Sequence, residues 1–286
     1  PTKNNMEGIF GFGQISSNTA ITNLVSNAGV VASDTTGVGT ARRILAATEY
    51  GEDKGIFGFG YVTGNVSMTN LVSNAGVVAT DTTGVGTARR ALAACGYGVD
   101  KGIFGFGKNG VVSMTNLVSN SGVVATDVTG VGTARSDLAA CEYGDDKGIF
   151  GYGTTDTDVS MTNLVSNAGV VATDVTGVGT ARGSLAACGY GGDKGIFGFG
   201  PWPDGSAITN LVSNAGVVAT DQAAVTGTVR YSPAACEYGG DKGIFGFGYG
   251  GGNLGVTNLV SNAGVVSSDV AAVGTARYVL AACSFN

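Results

Sequence analysis

The sequence predicts an all-β chain, a six-bladed β-propeller with four antiparallel strands in each blade. Three observations predict it. A unit of about 47 residues occurs six times. Each unit is rich in glycine and in short β-branched or aromatic runs, and the two ends of the chain carry complementary parts of one unit. Because six units account for residues 1–286, we expect one domain.

The repeat is defined by phrases that return in a fixed order. The phrase GIF followed by G(F/Y)G begins at Gly8, Gly55, Gly102, Gly148, Gly195 and Gly243. The phrase TNLVSN begins at Thr22, Thr69, Thr115, Thr162, Thr209 and Thr257. An Asp follows, then an Arg, in the pairs Asp34/Arg42, Asp81/Arg89, Asp127/Arg135, Asp174/Arg182, Asp221/Arg230 and Asp269/Arg277.

The composition of each unit favours strands over helices. The chain contains 51 glycines, and a glycine inside a helix costs about 1 kcal/mol. Apolar residues do not recur at every third or fourth position, as a helix requires. Four segments fit each unit, namely ARRALAACGYG, KGIFGFGY, SMTNLVSN and GVVATDT. The links xDKG and SNAG contain residues that favour tight turns, so we expect two hairpins there.

The ends of the chain predict how the propeller closes. The chain begins just before a GIFGFG strand, the second strand of a blade, and finishes after the first-strand segment Arg277–Phe285. We therefore expect the C-terminal strand to pair with the N-terminal blade and close the ring. Such closure removes exposed sheet edges.

The order of these phrases resembles the kelch repeat, and the similarity covers all six units. Two features depart from the common kelch pattern: GFG stands where a double glycine is usual, and the late Trp is missing. The near-identical units also resemble propeller proteins of tailed phages. The kelch resemblance implies that the loops after the second strands share one face and form a ligand-binding rim.

Composition argues against several function classes. The net charge is −6 and no basic stripe is present, so we expect no nucleic-acid partner. No apolar run reaches the roughly 18 residues of a membrane span, so we expect no membrane insertion. With no histidine, the chain lacks the commonest general base. We expect no catalytic residues, although a carboxylate pair such as Asp156 and Asp158 leaves glycoside hydrolysis as the enzymatic alternative.

Residues that recur in every unit are interpreted as architectural. The Arg either binds an anion in a central channel or, as we prefer, ties neighbouring blades together. The Asp either binds a metal or, as we prefer, caps a turn or pairs with the Arg. The Asp-Lys pairs are interpreted as solvated turn residues. The five Cys are interpreted as small buried apolar residues, with no disulfide, no metal site and no cofactor.

The units differ mainly in two places, the loop between the second and third strands and the position after the recurring Arg. Under the kelch resemblance these side chains lie on one surface and form a ligand-binding rim. Trp202, the only Trp, lies between two prolines and is the sharpest candidate for stacking on a sugar or anchoring a partner. The predicted rim consists of Arg43, Tyr61, Arg90, Lys108, Asp156, Asp158, Trp202, Asp204, Tyr231, Tyr249 and Tyr278.

These observations lead to a non-enzymatic recognition module that binds a glycan or protein on a cell or virion surface. The alternative is a structural decoration or assembly subunit that docks with other virion proteins or within another large complex. Free thiols fit synthesis in a reducing cytoplasm, followed by display on a virion or extracellular surface.

Overall fold

A computed structural model describes residues 6–222, 227–271 and 273–285. These residues are all-β: they form 18 strands and no helix, and so contain no helix able to cross a membrane. The strands are β1 (Glu7–Gly11), β2 (Thr22–Val25), β3 (Ala46–Tyr50), β4 (Lys54–Gly58), β5 (Thr69–Val72), β6 (Ala93–Tyr97), β7 (Lys101–Gly105), β8 (Thr115–Val118), β9 (Ala139–Tyr143), β10 (Lys147–Gly151), β11 (Thr162–Val165), β12 (Ala186–Tyr190), β13 (Lys194–Gly198), β14 (Thr209–Val212), β15 (Ala234–Tyr238), β16 (Lys242–Gly246), β17 (Thr257–Val260) and β18 (Ala281–Phe285).

The described strands form six three-stranded antiparallel sheets with one repeated order. Five sheets use three strands consecutive in sequence, such as β3–β4–β5. The sixth has the order β18–β1–β2, in register from Glu7 opposite Phe285 to Gly11 opposite Ala281. The expected pairing of the C-terminal strand with the N-terminal sheet is therefore confirmed.

The prediction of four strands per unit is wrong, because the fourth segment does not form a strand. In the second unit it forms isolated bridges with β5, where Thr82 lies opposite Thr69 and Val78 opposite Val72, and the Ala79 N–H donates to the Leu71 carbonyl at 2.8 Å. Between these contacts the Asn70 side chain donates to the Ala79 carbonyl at 3.0 Å and to the Asp81 carboxylate at 2.9 Å. An amide side chain thus supplements a few backbone bonds where a continuous fourth strand would form a full ladder.

Neighbouring sheets pack through their first strands and their aromatic residues. The first strands contact one another in the cyclic order β3, β6, β9, β12, β15, β18 and β3 again. Phe59 of one sheet packs edge-to-face on Phe104 of the next, with ring centroids 5.2 Å apart, and Phe247 packs in the same way on Phe10. A Cβ on Gly58 would lie 2.7 Å from the Phe104 ring, so glycine is required for this close approach.

The recurring Arg is a buried residue that joins sheets, as expected. The Arg89 side chain is 0% exposed, and its Nε donates to the Phe106 carbonyl at 2.8 Å. Its guanidinium lies 4.3 Å from the ring centroid of Phe59 in the neighbouring sheet, within the range of a cation–π interaction. Burial lowers the pKa of Arg89 to about 10, and the Asp127 charge opposes this shift.

The recurring Asp fastens the segment that enters each sheet to the outer edge of that sheet. Asp127 accepts hydrogen bonds from the Thr87 backbone amide and hydroxyl, and from the Asn116 side chain at 2.9 Å. Its Oδ1 lies 3.9 Å from Arg89 Nη1. The Asp has an Arg partner, as expected, but that partner is Arg89 of the preceding segment and not Arg135, with which Asp127 is paired in the sequence. The additional hydrogen bonds to Thr87 give the Thr two residues before the recurring Arg a structural role.

The remaining recurring residues also have structural roles. All five Cys are free and buried, so the expectation of buried thiols is confirmed. The Cys95 sulfur lies at the point where Gly148 of the next sheet packs, 2.5 Å from where a Cβ on that glycine would stand. The Asp-Lys pairs lie in the turns between first and second strands, where Lys101 Nζ donates to Asp100 at 2.7 Å. The Lys101 side chain is 41% exposed, as expected for a solvated turn residue.

Candidate ligand-binding cleft

The two variable positions of each repeat lie at the same end of the sheets. The variable loops follow the second strands, and the residues after the recurring Arg precede the first strands, which run antiparallel to the second strands. Backbone pairing joins the two positions, for example between Arg43 and Tyr61 and between Tyr231 and Tyr249. Each such pair of variable positions is therefore held side by side.

A cyclic series of backbone hydrogen bonds links the six repeats at this end. The residue two positions after each recurring Arg donates its N–H to the carbonyl of the corresponding residue in the preceding repeat. All six of these residues have positive φ, between 49° and 57°. In donor order the series is Ile44, Val279, Ser232, Ser184, Asp137, Ala91 and again Ile44.

A cleft of about 380 Å³ opens where this series passes Gly183 and Ser184. Gly183 takes the position that carries Arg43, Arg90, Ser136, Tyr231 or Tyr278 in the other repeats. A Cβ on Gly183 would lie 2.3 Å from Thr154 Oγ1, so a larger residue would enter space used by its neighbour. Gly183 thus leaves room for the Thr154 hydroxyl, and the side chains that determine the chemistry of the cleft beside it are Asp137, Thr154, Asp158, Trp202, Tyr231 and Tyr278.

Aromatic residues form one side of the cleft. The ring of Tyr249 lies between those of Tyr231 and Tyr278, at centroid distances of 5.4 and 5.2 Å. Burial and the two neighbouring tyrosines raise the pKa of Tyr231, while a side-chain hydrogen bond with Trp202 opposes that shift. Trp202 is 66% exposed.

Two carboxylates lie on the other side of Gly183. Asp158 Oδ1 accepts a hydrogen bond from Thr154 Oγ1 at 2.8 Å, and Asp137 Oδ2 accepts one from Ser136 Oγ at 2.8 Å. Burial raises the pKa of Asp137, and the Asp158 charge adds to that effect. The Ser136 hydrogen bond and the charges of Lys108 and Arg90 oppose it.

A second group of rim residues surrounds Tyr61. The Arg43 guanidinium lies 5.2 Å and the Arg90 guanidinium 4.9 Å from the Tyr61 ring centroid. Arg43 also donates to Asn18 Oδ1, and Arg90 donates to Asn65 Oδ1 at 2.8 Å. This group is fixed by its own contacts, and its residues do not line the cleft.

The structure therefore divides the rim predicted from the sequence. Asp158, Trp202, Tyr231 and Tyr278 line the cleft, and Tyr249 supports two of them. Arg43, Tyr61 and Arg90 form the second group, and the backbone of Lys108 pairs with that of Arg90. Asp156 and Asp204 are exposed and outside the cleft lining.

Sequence reasoning did not assign Asp137, Thr154 or Gly183 to the candidate site. All three line the cleft, and the only signal for two of them was variation after the recurring Arg. Thr154 begins a variable loop, but that loop suggested only its acidic residues. The role of Gly183 has no sequence signature of its own, because glycine is common throughout this chain.

A smaller cavity of about 60 Å³ lies among the first strands. Its lining alternates a glutamate with a small residue, in the order Glu49, Gly96, Glu142, Gly189, Glu237 and Ser284. A Cβ on Gly96 would lie 1.6 Å from Glu142 Oε1, so the small residue makes room for the neighbouring carboxylate. Within the described ranges, no group of three His, Cys, Asp or Glu side chains could hold a metal ion.

No family model matches this chain, and a search of curated proteins finds no match.

Proposed function

We propose that this chain is a six-bladed, kelch-like β-propeller that acts as a non-enzymatic recognition module. In this proposal a glycan or protein on a cell or virion surface binds at the cleft beside Gly183. The cyclic contacts of the first strands and the cyclic backbone hydrogen bonds support the propeller arrangement. The module would be made in a reducing cytoplasm, where its buried thiols stay free, and displayed on a virion or other extracellular surface.

The observation that carries the proposal is the cleft itself. Six near-identical repeats would give six equal surfaces, yet one position lacks the side chain that the others carry, and a Trp occurs only in the adjacent loop. An exposed Trp beside two tyrosines provides flat apolar surface with polar edges, which suits a sugar ring or an anchoring side chain of a partner. Concave sites with aromatic walls and a few polar groups are where small ligands bind.

Absence of catalysis is part of the same proposal. Asp137 and Asp158 both line the cleft, and each accepts a hydrogen bond from a neighbouring hydroxyl. These bonds orient the carboxylates as hydrogen-bond acceptors for a bound ligand. The net charge of −6 supports partners other than nucleic acid.

Binding to a broad glycan array and to intact cells tests this function. We compare the native chain with Trp202→Ala and with Val217→Ala. Val217 is a control because it is 65% exposed, close to the 66% of Trp202, and does not line the cleft. Selective binding that is lost in Trp202→Ala and kept in Val217→Ala would support the proposal. Binding that is equally insensitive to both changes would place recognition elsewhere.

A structural subunit is the second candidate function, and one set of residues favours it. Each repeat exposes a valine in the turn after its third strand, with exposures between 64% and 66%. The set consists of Val30, Val77, Val123, Val170, Val217 and Val265. A regular series of apolar side chains suits docking on a larger assembly. Native mass spectrometry decides between the two functions: a stable monomer that binds glycans supports recognition, and self-assembly without glycan binding supports the structural role.

A further inference from the structure

The charged residues that line the cleft are all of one sign. Asp137 and Asp158 both line it, and among the residues that the structure describes no Lys or Arg does. The remaining polar side chains of the lining are hydroxyls, together with the Trp202 indole. Carboxylates accept hydrogen bonds only, so the strongest complement to this lining is a ligand that donates them and carries positive charge.

The carboxylates and the aromatic rings occupy neighbouring positions around Gly183. In the cyclic hydrogen-bond series Ser184 lies between Asp137 and Ser232, and Tyr231 is adjacent to Ser232. A Cβ on Gly183 would lie 3.3 Å from Asp158 Oδ1, so that carboxylate lies beside Gly183 in the cleft lining. A ligand in the cleft therefore meets acceptors on one side and aromatic surface on the other.

Both carboxylates are held in place before any ligand arrives. Thr154 fixes Asp158 and Ser136 fixes Asp137, each through a hydrogen bond of 2.8 Å to one oxygen. Lys108 and Arg90 act on Asp137 from outside the cleft and partly offset its charge. Asp158 is thus the stronger candidate for a direct contact with a cation.

From this geometry we infer that the cleft takes a sugar with a free, protonated amine, as in an oligosaccharide of glucosamine. The sugar face packs on Trp202 or Tyr231, and the ammonium group donates to Asp158 and, in second place, to Asp137. Aromatic faces also attract cations, so the two sides of the cleft reinforce each other. This inference rests on the proposed function, because it names the ligand class of the same cleft.

A matched pair of sugars tests the inference. Glucosamine oligomers with free amines and the same oligomers with N-acetylated amines share a backbone and differ in charge. Calorimetric titration at about pH 6, where free amines are largely protonated, compares the two. We expect the free-amine oligomer to bind at least tenfold more tightly, and its affinity to fall as salt is added.

Two single substitutions in one loop provide the second comparison. Asp158→Asn keeps an oxygen that can accept the Thr154 hydrogen bond but removes the charge, and we expect at least tenfold weaker binding of the free-amine oligomer. Asp156→Asn removes the same charge two residues away, at an exposed position outside the cleft, and should leave the affinity unchanged. Circular dichroism of both variants checks that each remains folded.

The outcomes separate this inference from the proposed function. Equal or tighter binding of the N-acetylated oligomer overturns the cationic ligand class, as does an equal effect of the two substitutions. Failure of both oligomers to bind also overturns it. If neither oligomer binds but another glycan on the array binds in a Trp202-dependent way, the proposed function still holds. If no glycan on the array binds in this way, the glycan function is wrong as well.

Discussion

The backbone N–H of Ile44 donates to the carbonyl oxygen of Val279 at 2.8 Å. This bond joins the start of the second sheet to the start of the sheet that contains the C-terminal strand, and it completes a cyclic series that runs through all six repeats. Because the same bond recurs in every repeat, the position of each variable side chain is set by its neighbours on both sides. The side chains next to this series therefore differ between repeats, while the backbone that carries them is regular.

Removal of a buried recurring Arg should strongly destabilise the chain. Arg89→Ala would remove the hydrogen bond to Phe106 and the contact with Phe59 and leave the partners of a buried charge unpaired. We expect a loss of about 3–5 kcal/mol in the free energy of unfolding, measured by urea denaturation. Arg90→Ala is the control, because that half-buried neighbour stacks on Tyr61 and bonds to Asn65, and such surface contacts are each worth about 1 kcal/mol or less. Equal losses in the two variants would contradict this account.

Acid should destabilise the fold through the six recurring Asp residues. Burial raises the pKa of Asp127, but hydrogen bonds from Thr87 and Asn116 and the Arg89 charge outweigh it, so the net shift is downward. A pKa lowered by folding means stability that is present above the unfolded value of about 3.9 and lost as the pH falls toward the folded value. We expect the urea midpoint to be flat near neutral pH and to fall steeply below about pH 4.

The Asp127→Asn variant is the control for that pH dependence. It lacks one of the six carboxylates, so its midpoint should start lower and fall less steeply on acidification. A native chain whose urea midpoint is the same at about pH 6 and about pH 3 would show that these carboxylates contribute no linked stability.

Close packing between sheets should make substitution by Ala destabilising at one glycine and harmless at another. In Gly58→Ala the added Cβ would lie 2.7 Å from the Phe104 ring of the next sheet, and the rigid ring must shift. We expect a loss of about 1–3 kcal/mol in the free energy of unfolding. Gly64→Ala meets nothing within 4 Å and should be nearly neutral. Thermal and urea unfolding that show Gly64→Ala to be less stable than Gly58→Ala would contradict this explanation.

The five thiols should be unreactive in the folded chain. Burial raises the pKa of Cys95 well above its ordinary value, as it does for the other four Cys. We expect a chromogenic disulfide reagent to label none of them in native buffer and all five in denaturant. A Val123→Cys variant adds a thiol at a position 64% exposed, and its prompt labelling would show that the reagent works. Rapid labelling of the native chain would mean that the first strands open readily.

Much of the fold could be predicted from the sequence, because the same strand-forming runs occur in each of the six units. Runs such as GIFG and TNLV at fixed spacing indicated strands, and complementary chain ends indicated that Phe285 would lie near Glu7. The absence of a fourth strand could not be predicted, because the sequence does not show that the Asn70 side chain bonds to Ala79 and Asp81.

The candidate site was predictable in part. Trp202, Tyr231 and Tyr278 stood out because near-identical repeats make any difference visible. Gly183 did not stand out, since its contribution is an absent side chain, and its meaning depends on the neighbours that the fold brings beside it. The separation of Arg43 and Arg90 from the cleft likewise follows from their stacking on Tyr61, which no spacing in the sequence encodes.

The fluorescence of Trp202 tests the central claim most directly, because this is the only Trp in the chain. Emission is recorded while each glycan retained on the array is titrated into the native chain and into Gly183→Tyr, which gives the cleft the residue found at that position in the last two repeats. We expect a saturable change in emission for the native chain and none for Gly183→Tyr. A glycan that binds by calorimetry without changing the emission, or that binds both proteins equally, would contradict recognition at this cleft.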